Sequence, residues 1–521
     1  MSTLSRNLPI GIQTFEKIRE EGYLYVDKTA LVHRLASTHT PYFLSRPRRF
    51  GKSLLLSTFH SFFEGRKDLF EGLAIAQLET EWKKYPVLHL DLNAEKYDSI
   101  ERLTAILNRH LGLWEDTWGK EEREITLSDR FTGVIRRAYE QTGMEVVVLV
   151  DEYDKPLLQN LLNEPLLDEY RGTLKAFYGV LKSADRYLRF VFLTGVTKFA
   201  QVSVFSDLNQ LSDISMIPEF ATLCGITREE LIEVFTPELE RLGKNNELTF
   251  EETVEKMTAQ YDGYHFRENT PGMFNPFSVL NTLRYLLFDH YWFQTGTPTY
   301  LASLLEKSDY DLRLLIEGVE IGITGFSEYR AETRNPIPMI YQSGYLTIKD
   351  YDKELKLYTL GFPNDEVRYG FLNFLTPYYT RVTDDETTFH IAHFVRELRS
   401  GDVPAFMKRM KAFFAGITYE LSDDSERHYQ VIFYIVFKLL GEFVQAEVRS
   451  ATGRADAVVY TRDQIYVFEF KLNGTAEEAI RQIDEKGYLI PYTADGRKLV
   501  KVGVEFSKSE RNISRFLVET N

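Results

Sequence analysis

One stretch restricts the fold of this 521-residue chain more than any other, and it spans residues 41–53. It reads Pro-Tyr-Phe-Leu-Ser-Arg-Pro-Arg-Arg-Phe-Gly-Lys-Ser, and a largely apolar run follows as far as residue 63. The apolar residues 42–44 predict a short buried strand, so the order is strand, basic loop, Gly-Lys-Ser and helix. That order is typical of a phosphate-binding P-loop, in which backbone amides at the helix start bind anionic oxygens.

The Gly-Lys-Ser triplet gives each of its residues a role in such a loop. Gly51 ends the loop, and the Lys52 ammonium is expected to reach the β- and γ-phosphates of a nucleotide. The hydroxyl of Ser53 is expected to ligate Mg²⁺. The triplet is short, so a chance occurrence is the alternative interpretation.

The loop departs from the full P-loop pattern at its first position. The pattern G-x-x-x-x-G-K-[ST] requires glycine at position 46, where this chain has Arg46. Pro47 then fixes φ and removes a backbone donor. We therefore expect the loop to wrap the phosphates differently, with Arg46, Arg48 or Arg49 contributing.

A second stretch, residues 145–154, supports nucleotide binding. It reads Glu-Val-Val-Val-Leu-Val-Asp-Glu-Tyr-Asp, and its apolar run predicts a strand buried on both faces, as in a parallel sheet. Ligands of open α/β sheets bind at the carboxyl ends of the strands. Asp151 is therefore expected to hold Mg²⁺ through water, and Glu152 to orient or deprotonate the attacking water. A strand that ends in solvated acids is the alternative.

The first half of the chain alternates predicted strands and helices, which favours an α/β fold with a parallel sheet. A further strand is predicted over residues 188–194. It ends at Thr194, and Thr197 follows in the next loop. Either hydroxyl is a candidate γ-phosphate sensor, although an ordinary turn after the strand accounts for both residues as well.

Charge and composition restrict the partners. The net charge is −15 and the sequence pI is about 5.3, so contact with nucleic acid requires local basic patches. One such patch lies between residues 41 and 67 and contains Arg46, Arg48, Arg49, Lys52, Arg66 and Lys67. A single cysteine, Cys224, excludes an intrachain disulfide. The absence of a signal-peptide core and of an 18-residue apolar run predicts a soluble cytoplasmic protein with no membrane partner.

Composition shifts predict three domains. Residues 226–260 carry nine acids and four bases at helical spacing, which indicates a solvated helical lid or connector. We predict a first domain over residues 1–225, a mostly helical lid or connector region over residues 226–400, and a C-terminal domain over residues 401–521.

The C-terminal domain carries a second set of chemically suggestive residues. Its predicted order is helix, three strands, helix and strand, with Asp456 at the start of the second strand (residues 455–460) and Gln482 on the second helix. Glu469 and Lys471 alternate along the third strand and so share one face. The carboxylates of Asp456 and Glu469 offer oxygen ligands for Mg²⁺, and Lys471 beside the metal is placed to orient or deprotonate a water.

Two alternatives stay open at this second set. The first alternative is a buried ion pair between Glu469 and Lys471 without a metal, because an unpaired charge inside an apolar strand is costly. Glu426 and Glu447 are rival candidates for a further place in the metal site. Glu426 also fits the third position of a helix as a capping residue.

These motifs resemble a known family. Residues 46–53 (Arg-Pro-Arg-Arg-Phe-Gly-Lys-Ser) and 151–156 (Asp-Glu-Tyr-Asp-Lys-Pro) are similar to those of the bacterial AAA-ATPase-like family. Residues 453–456 (Gly-Arg-Ala-Asp), 468–471 (Phe-Glu-Phe-Lys) and 482–488 resemble the PD-(D/E)xK nuclease domain often fused behind that ATPase. The resemblance implies a P-loop NTPase-type sheet domain and a C-terminal α/β restriction-endonuclease-like domain. It also implies catalytic roles for Asp456, Glu469, Lys471 and Gln482.

Two functions follow from the sequence. The leading interpretation is an ATP-binding protein, an ATPase, that gates or positions a Mg²⁺-dependent nuclease acting on nucleic acid. The alternative is a nucleotide-dependent switch or scaffold whose C-terminal domain binds nucleic acid or protein without cutting. The sequence leaves open whether the substrate is DNA or RNA and whether the chain forms a homo-oligomer.

Overall fold

The computed structural model divides the chain into two compact units. The first comprises Met1–Ser308 and Gly318–Glu366, and the second comprises Asp309–Glu317 and Val367–Asn521. The residues that the structure describes are 6–93, 95–161, 163–198, 210–293, 301, 305, 315, 318–326, 335–380, 384–415, 426–441, 445–448, 455–472, 474–507, 510 and 512–520. The three predicted domains have other boundaries and stay a prediction.

A five-stranded parallel sheet forms the centre of the first unit. Its strands are β1 (Tyr42–Ser45), β2 (Val87–Asp91), β3 (Val146–Asp151), β4 (Leu188–Gly195) and β5 (Ser212–Asp213). Their spatial order is β2-β3-β4-β1-β5, and every pairing is parallel. All six residues of β3 are buried, as its apolar sequence predicts for a strand covered on both faces. The predicted α/β class is confirmed.

Helices connect and cover these strands. The helices of this part are α1 (Phe15–Glu20), α2 (Thr29–Ala36), α3 (Lys52–Phe63), α4 (Ile75–Leu78), α5 (Ile100–Trp118), α6 (Leu127–Thr142), α7 (Lys155–Leu158) and α8 (Glu164–Ser183). Local signals set several of their ends. Thr126 and Asp129 form a capping box at the start of α6, and Gly143 ends the same helix at a φ of 68°.

The rest of the first unit is helical with one small sheet. Its helices are α9 (Arg228–Asn245), α10 (Phe250–Tyr261), α11 (Pro276–Tyr285) and α12 (Ile337–Gln342). Strands β6 (Val319–Gly322), β7 (Thr347–Asp352) and β8 (Leu357–Gly361) form an antiparallel sheet in the order β6-β8-β7. Side chains of α9, α10 and α11 share one apolar core around Leu239, Met257 and Val279.

A mixed five-stranded sheet forms the second unit. Its strands are β9 (Gln445–Val448), β10 (Ala457–Tyr460), β11 (Gln464–Lys471), β12 (Lys498–Ser507) and β13 (Asn512–Thr520). The spatial order is β13-β12-β11-β10-β9, with β11 and β12 parallel and the other neighbours antiparallel. The predicted order of elements is confirmed as far as β12, and β13 is an additional strand.

The helices of the second unit precede and interrupt this sheet. They are α13 (Asp365–Thr380), which begins at the boundary between the units, α14 (Asp384–Ser400), α15 (Val403–Ala415), α16 (Glu426–Leu440) and α17 (Ala476–Glu485). Helix α17 approaches β12 closely at Gly503. A Cβ atom there would lie 2.5 Å from the carbonyl oxygen of Ala476, so only glycine allows this packing.

Candidate functional site

The basic loop between β1 and α3 ends at the backbone amides that begin α3. Arg49 and Gly51 have φ values of 68° and 90°, and the helix begins at Lys52. The first backbone hydrogen bond of the helix runs from the Leu55 amide to the Gly51 carbonyl at 3.0 Å. The amides of the three residues before Leu55 therefore have no acceptor within the helix, and this arrangement suits an anion.

The side chain of Lys52 folds back along the loop. Its ammonium donates to the carbonyl oxygens of Arg46 at 3.0 Å and Pro47 at 3.2 Å, and the residue is 6% exposed. The loop carbonyls thus hold the ammonium near the start of α3, where the sequence predicts phosphate contact.

A cavity of about 430 Å³ opens in front of the loop and the helix start. This volume lies within the range of small-molecule sites, roughly 300–1,000 Å³. The charged residues that line the cavity are Arg48, Arg49, Lys52, Lys155 and Glu152. The apolar ones are Pro9, Ile12, Leu54, Pro276, Phe277 and Leu280. Four cations against one acid make the cavity strongly positive, although the whole chain is acidic.

The three arginines of the loop point to different places. Arg48 and Arg49 line the large cavity, and the Arg49 guanidinium lies 5.0 Å from the centre of the Phe277 ring. The Arg48 carbonyl accepts a hydrogen bond from the Trp292 indole at 3.2 Å, which fixes the loop at this position. Arg46 instead lines a separate, smaller cavity, and its predicted contact with a nucleotide stays a prediction.

The carboxyl end of β3 carries the predicted acids. The Thr194 hydroxyl donates to the Asp151 carboxylate at 2.6 Å, because β4 lies next to β3. Glu152 lines the large cavity with a φ of 52°, an unusual conformation for a residue other than glycine. Burial raises the pKa of the Glu152 carboxyl, and the nearby Lys52 ammonium opposes the rise. The structure therefore brings together Lys52 and Glu152, two of the predicted residues.

The second candidate threonine has a different partner. Asp154 is fully buried, and it accepts hydrogen bonds from the Thr197 amide and the Thr197 hydroxyl, each at 2.6 Å. It also accepts the Val196 amide at 3.2 Å. Thr197 thus joins the loop after β4 to Asp154, whereas Thr194 contacts the predicted metal ligand Asp151.

The cavity contains residues that the sequence did not single out. Lys155 is one of them, and its ammonium contacts the carbonyl and side-chain oxygens of Asn93. Asn93 lies two residues after the end of β2 and Lys155 four residues after the end of β3, and this closeness to strand ends is the signal that could have identified them. Pro9 and Gln13 line the cavity from the N-terminal segment, for which the sequence carries no recognisable motif.

The second set of predicted residues assembles around β11 of the second unit. The Lys471 ammonium lies 3.2 Å from Glu469 Oε1, and it also contacts the side-chain oxygen of Gln482. The Gln482 amide donates to Glu469 and to the Tyr488 hydroxyl. Asp456 accepts the Phe470 amide at 2.8 Å, which fixes this carboxylate at the same end of the strand. Tyr488 is a member of the cluster that has no predicted role.

Electrostatics at this cluster favour a cation. Glu469 is 3% exposed, and burial together with the Asp456 charge raises the pKa of its carboxyl to about 7, against the opposing effect of Lys471. Burial also raises the pKa of Asp456. Glu469 Oε2 is buried and has no hydrogen-bond partner among the described residues. A buried carboxylate oxygen without a donor is a suitable ligand for a divalent cation, so these residues fit a metal.

Some predicted residues lie outside what the structure describes. The side chains of Glu426 and Glu447 are among them, so their place in a metal site stays a prediction. Residues 453 and 454 of the Gly-Arg-Ala-Asp motif also lie outside the described residues. Within the described part of the chain, no group of three or more His, Cys, Asp or Glu side chains is arranged to hold a metal.

Comparisons with known proteins give a family match for each of the two segments that carry a candidate site. Residues 9–205 match the family model described as Predicted AAA-ATPase, and residues 424–516 match the PD-(D/E)XK nuclease superfamily. A curated relative from Azotobacter chroococcum mcd 1, the "Uncharacterized protein in vnfD 5'region", is 35% identical over 529 residues that cover 99% of each chain. No helix among the described residues is long and apolar enough to cross a membrane.

Proposed function

This chain belongs to the predicted AAA-ATPase-like family with a C-terminal PD-(D/E)XK nuclease superfamily domain, and on that premise we propose that it is an ATP-dependent nuclease. In this proposal the first unit binds and hydrolyses ATP. The second unit cleaves phosphodiester bonds of nucleic acid with the help of a divalent metal. The proposal has two parts, and each rests on its own site.

The observation that carries the ATP part is the composition of the large cavity. A nucleoside triphosphate is a polyanion with an apolar base, and the cavity pairs four cations and a helix N-terminus with an apolar wall. Arg48, Arg49, Lys52 and Lys155 supply charge for the phosphates. Pro9, Ile12, Pro276 and Leu280 supply apolar surface for the base.

Each predicted residue of this site has a role in the proposal. Ser53 and Asp151 would hold Mg²⁺, which neutralises phosphate charge when it is bound. Thr194 orients Asp151 through its 2.6 Å hydrogen bond. Glu152, whose burial raises its pKa, accepts a proton from the attacking water or orients that water.

Replacement of Lys52 by alanine tests ATP binding. We expect Lys52→Ala to abolish measurable ATP binding, because it removes the cation nearest the helix start. Calorimetric titration of the full chain with ATP measures the effect, and Lys67→Ala, an exposed lysine after the same helix, is the matched control. Circular dichroism establishes that the variant is folded. Equal ATP affinity in the wild type and a folded Lys52→Ala variant would overturn the ATP part.

Replacement of Glu152 by glutamine separates binding from hydrolysis. The amide cannot accept a proton from water, so we expect Glu152→Gln to bind ATP as the wild type does while phosphate release falls about 10²–10⁴-fold. Glu164→Gln, at the start of a nearby helix, is a control with the same chemical change on an exposed residue. Wild-type turnover in Glu152→Gln would remove Glu152 from this role.

The observation that carries the nuclease part is the buried Glu469 Oε2, which has no hydrogen-bond partner among the described residues and lies beside Asp456 and Lys471. Asp456 and Glu469 would hold a divalent metal, which stabilises charge on the scissile phosphate when it is bound. Lys471 orients a water or accepts its proton. Gln482 positions the Lys471 ammonium and the Glu469 carboxylate through its side-chain amide.

Two variants distinguish the metal ligand from the lysine. We expect Asp456→Asn to weaken Mn²⁺ binding and plasmid cleavage together, because it removes a ligand. Lys471→Met should leave Mn²⁺ binding intact and slow cleavage by about 10²–10⁴-fold. Lys486→Met, which changes an exposed lysine just after helix α17, is the control.

The ion-pair interpretation predicts a different result for the same variants. If Glu469 and Lys471 only neutralise each other, Lys471→Met strands a buried charge and lowers stability by about 3–5 kcal/mol. A large loss of thermal stability, with no Mn²⁺ bound by the wild type at millimolar concentration, would overturn the nuclease part. The switch or scaffold function would then remain.

A further inference from the structure

Arg49, in the basic loop, has a backbone conformation that needs outside support. Its φ of 68° lies in the left-handed region, which is costly for a residue that carries a Cβ atom. Such a conformation persists only where the surrounding structure holds the chain around it. The contacts of the neighbouring residues Arg48 and Phe50 therefore decide the shape of the loop, and with it the position of the two arginines that line the large cavity.

The chain after Arg49 is held by the packing of an aromatic ring. Phe50 is buried, and its ring lies edge-on to the rings of Tyr264 and Phe266, at centroid distances of 4.8 and 5.5 Å. Edge-to-face arrangements of this kind are favourable for aromatic pairs. Phe50 thus anchors the loop shortly before the start of α3.

The chain before Arg49 is held by a hydrogen bond from a distant segment. The Trp292 indole nitrogen donates to the Arg48 carbonyl oxygen at 3.2 Å. The Asn275 side-chain amide donates to the same oxygen at 3.5 Å, a longer and weaker contact. The Arg48 carbonyl and the Arg49 amide belong to one rigid peptide plane. The indole therefore sets the rotation of that plane, and a change in this rotation changes the φ of Arg49.

The position of Trp292 is itself fixed. The residue is buried, its amide donates to Glu366 Oε1 at 2.8 Å, and its ring lies 5.1 Å from that of Tyr345. The same part of the chain also supports the residue before Arg48, since a Cβ atom at Gly344 would lie only 2.6 Å from the Cβ atom of Pro47. Two successive residues of the loop therefore rest on residues around Trp292.

Trp292 is not among the described residues that line the large cavity. We propose that it is nevertheless a positioning residue of the ATP site. Its indole holds the peptide between Arg48 and Arg49 in the rotation that gives Arg49 a positive φ, and thereby keeps both guanidinium groups at the cavity. This inference rests on the proposed ATP binding, because the cavity is the proposed place of the phosphates.

Crystal structures of the full chain without nucleotide test the effect on the loop. Trp292→Phe keeps an aromatic ring and removes the donor, so we expect the peptide after Arg48 to rotate and Arg49 to leave the positive φ region. Trp82→Phe is the matched control, because the Trp82 indole donates to the Glu79 carbonyl at 3.1 Å, outside the loop. It should leave the loop unchanged. A positive φ at Arg49 in Trp292→Phe would overturn the proposal.

Calorimetric titration with ATP measures the consequence for binding. We expect the Kd of Trp292→Phe to rise about fivefold, the factor that one net hydrogen bond supports, and that of Trp82→Phe to stay at the wild-type value. If the wild type binds ATP and Trp292→Phe binds it equally well, the positioning role fails while the ATP site stands. A wild type that does not bind ATP removes the proposed function, and the positioning of ATP by Trp292 with it.

Two further backgrounds separate positioning from general support of the fold. Glycine adopts a positive φ without a Cβ penalty, so in Arg49→Gly the additional change Trp292→Phe should raise the Kd for ATP less than about twofold. Arg49→Lys keeps a cation and still needs the strained φ, so there the loss of about fivefold should persist. An equal loss in both backgrounds would mean that the Trp292 ring acts only through packing, and would overturn the positioning role.

Discussion

At the scale of single residues, burial sets the protonation of several carboxyl groups. It raises the pKa of Glu469 to about 7 and that of Glu366 to about 8. Glu366 is satisfied by the Trp292 amide and the Ser278 hydroxyl, each at 2.8 Å. Glu469 differs, because one of its oxygens has no hydrogen-bond partner among the residues described. A cation and a proton therefore compete for Glu469, whereas Glu366 holds two segments of the first unit together.

This competition predicts a pH-dependent metal affinity. Mn²⁺ binds the deprotonated carboxylate, so its affinity should fall by up to about tenfold per pH unit below 7 and level off above about 8. Calorimetric titration of the full chain with Mn²⁺ without ATP, between pH 6 and 8.5, measures this dependence. In Glu469→Gln, which cannot ionise, the remaining binding should lose the dependence. An affinity that stays constant across this range in the wild type would contradict the argument.

At this scale the sequence identified the residues that form the sites better than it identified which cavity each side chain lines. Arg46, Arg48 and Arg49 are equivalent in the sequence, but they point into two cavities. Their directions depend on where β1 ends and on the loop φ values, such as 68° at Arg49, which a single sequence does not reveal. Strand alternation, in contrast, correctly placed Glu469 and Lys471 on one face, because that period is fixed by the backbone.

At the scale of elements, the strand order brings the first site together. Strand β4 lies between β1 and β3, so its carboxyl end lies between the basic loop and the acids of β3. Thr194 and Asp151 meet for this reason, and Asp154 joins the loop after β4 to the segment after β3. Asp154 is thus the main side-chain connection between these two strand ends.

The connection at Asp154 predicts a local loss of stability when it is removed. Asp154→Ala leaves two backbone amides and the Thr197 hydroxyl without their acceptor, at a cost of about 1–3 kcal/mol for each buried group left unsatisfied. Asp154→Asn keeps one acceptor oxygen and should cost less. Urea denaturation of the full chain measures both, with Asp168→Ala on an exposed face of α8 as the control. A loss no larger than that of Asp168→Ala would refute this role.

The elements themselves were predictable where burial leaves a strong pattern. Strands β1, β3 and β4 are apolar on both faces and were predicted close to their observed bounds. Strand β13 was missed, since its residues from Ser514 onward are half-buried or exposed and alternate weakly. Its pairing with β12 depends on contacts distant in sequence, which local patterns do not encode. The order of strands in either sheet was likewise not readable from the chain.

At the scale of the whole molecule, charge is divided unevenly along the chain. Residues 401–521 contain 17 Lys and Arg against 18 Asp and Glu, so they are nearly neutral. Residues 1–400 contain 45 against 59 and carry almost all of the net charge of −15. The overall acidity, which counted against contact with nucleic acid, therefore does not apply to the nuclease-like segment. The net charge of the whole chain does not reveal this difference between residues 1–400 and residues 401–521.

The proposed ATP and metal sites lie in different units and share no residue, so each can be disabled alone. Coupling between them would appear as cleavage that depends on ATP. Coupling free energies between sites are typically 1–3 kcal/mol, so we expect ATP to change the rate of plasmid cleavage by about 5–150-fold in the wild type. A non-hydrolysed ATP analogue shows whether binding alone is sufficient.

Lys52→Ala gives the decisive comparison. It should retain Mn²⁺ binding at Asp456 and Glu469 and should cleave at the ATP-independent rate whether or not ATP is present. Lys471→Met should show the opposite, with ATP hydrolysis preserved and cleavage lost. If wild-type cleavage is the same with and without ATP while both activities are present, the two units act independently. The first unit then does not gate the second, and gating is removed from the proposal.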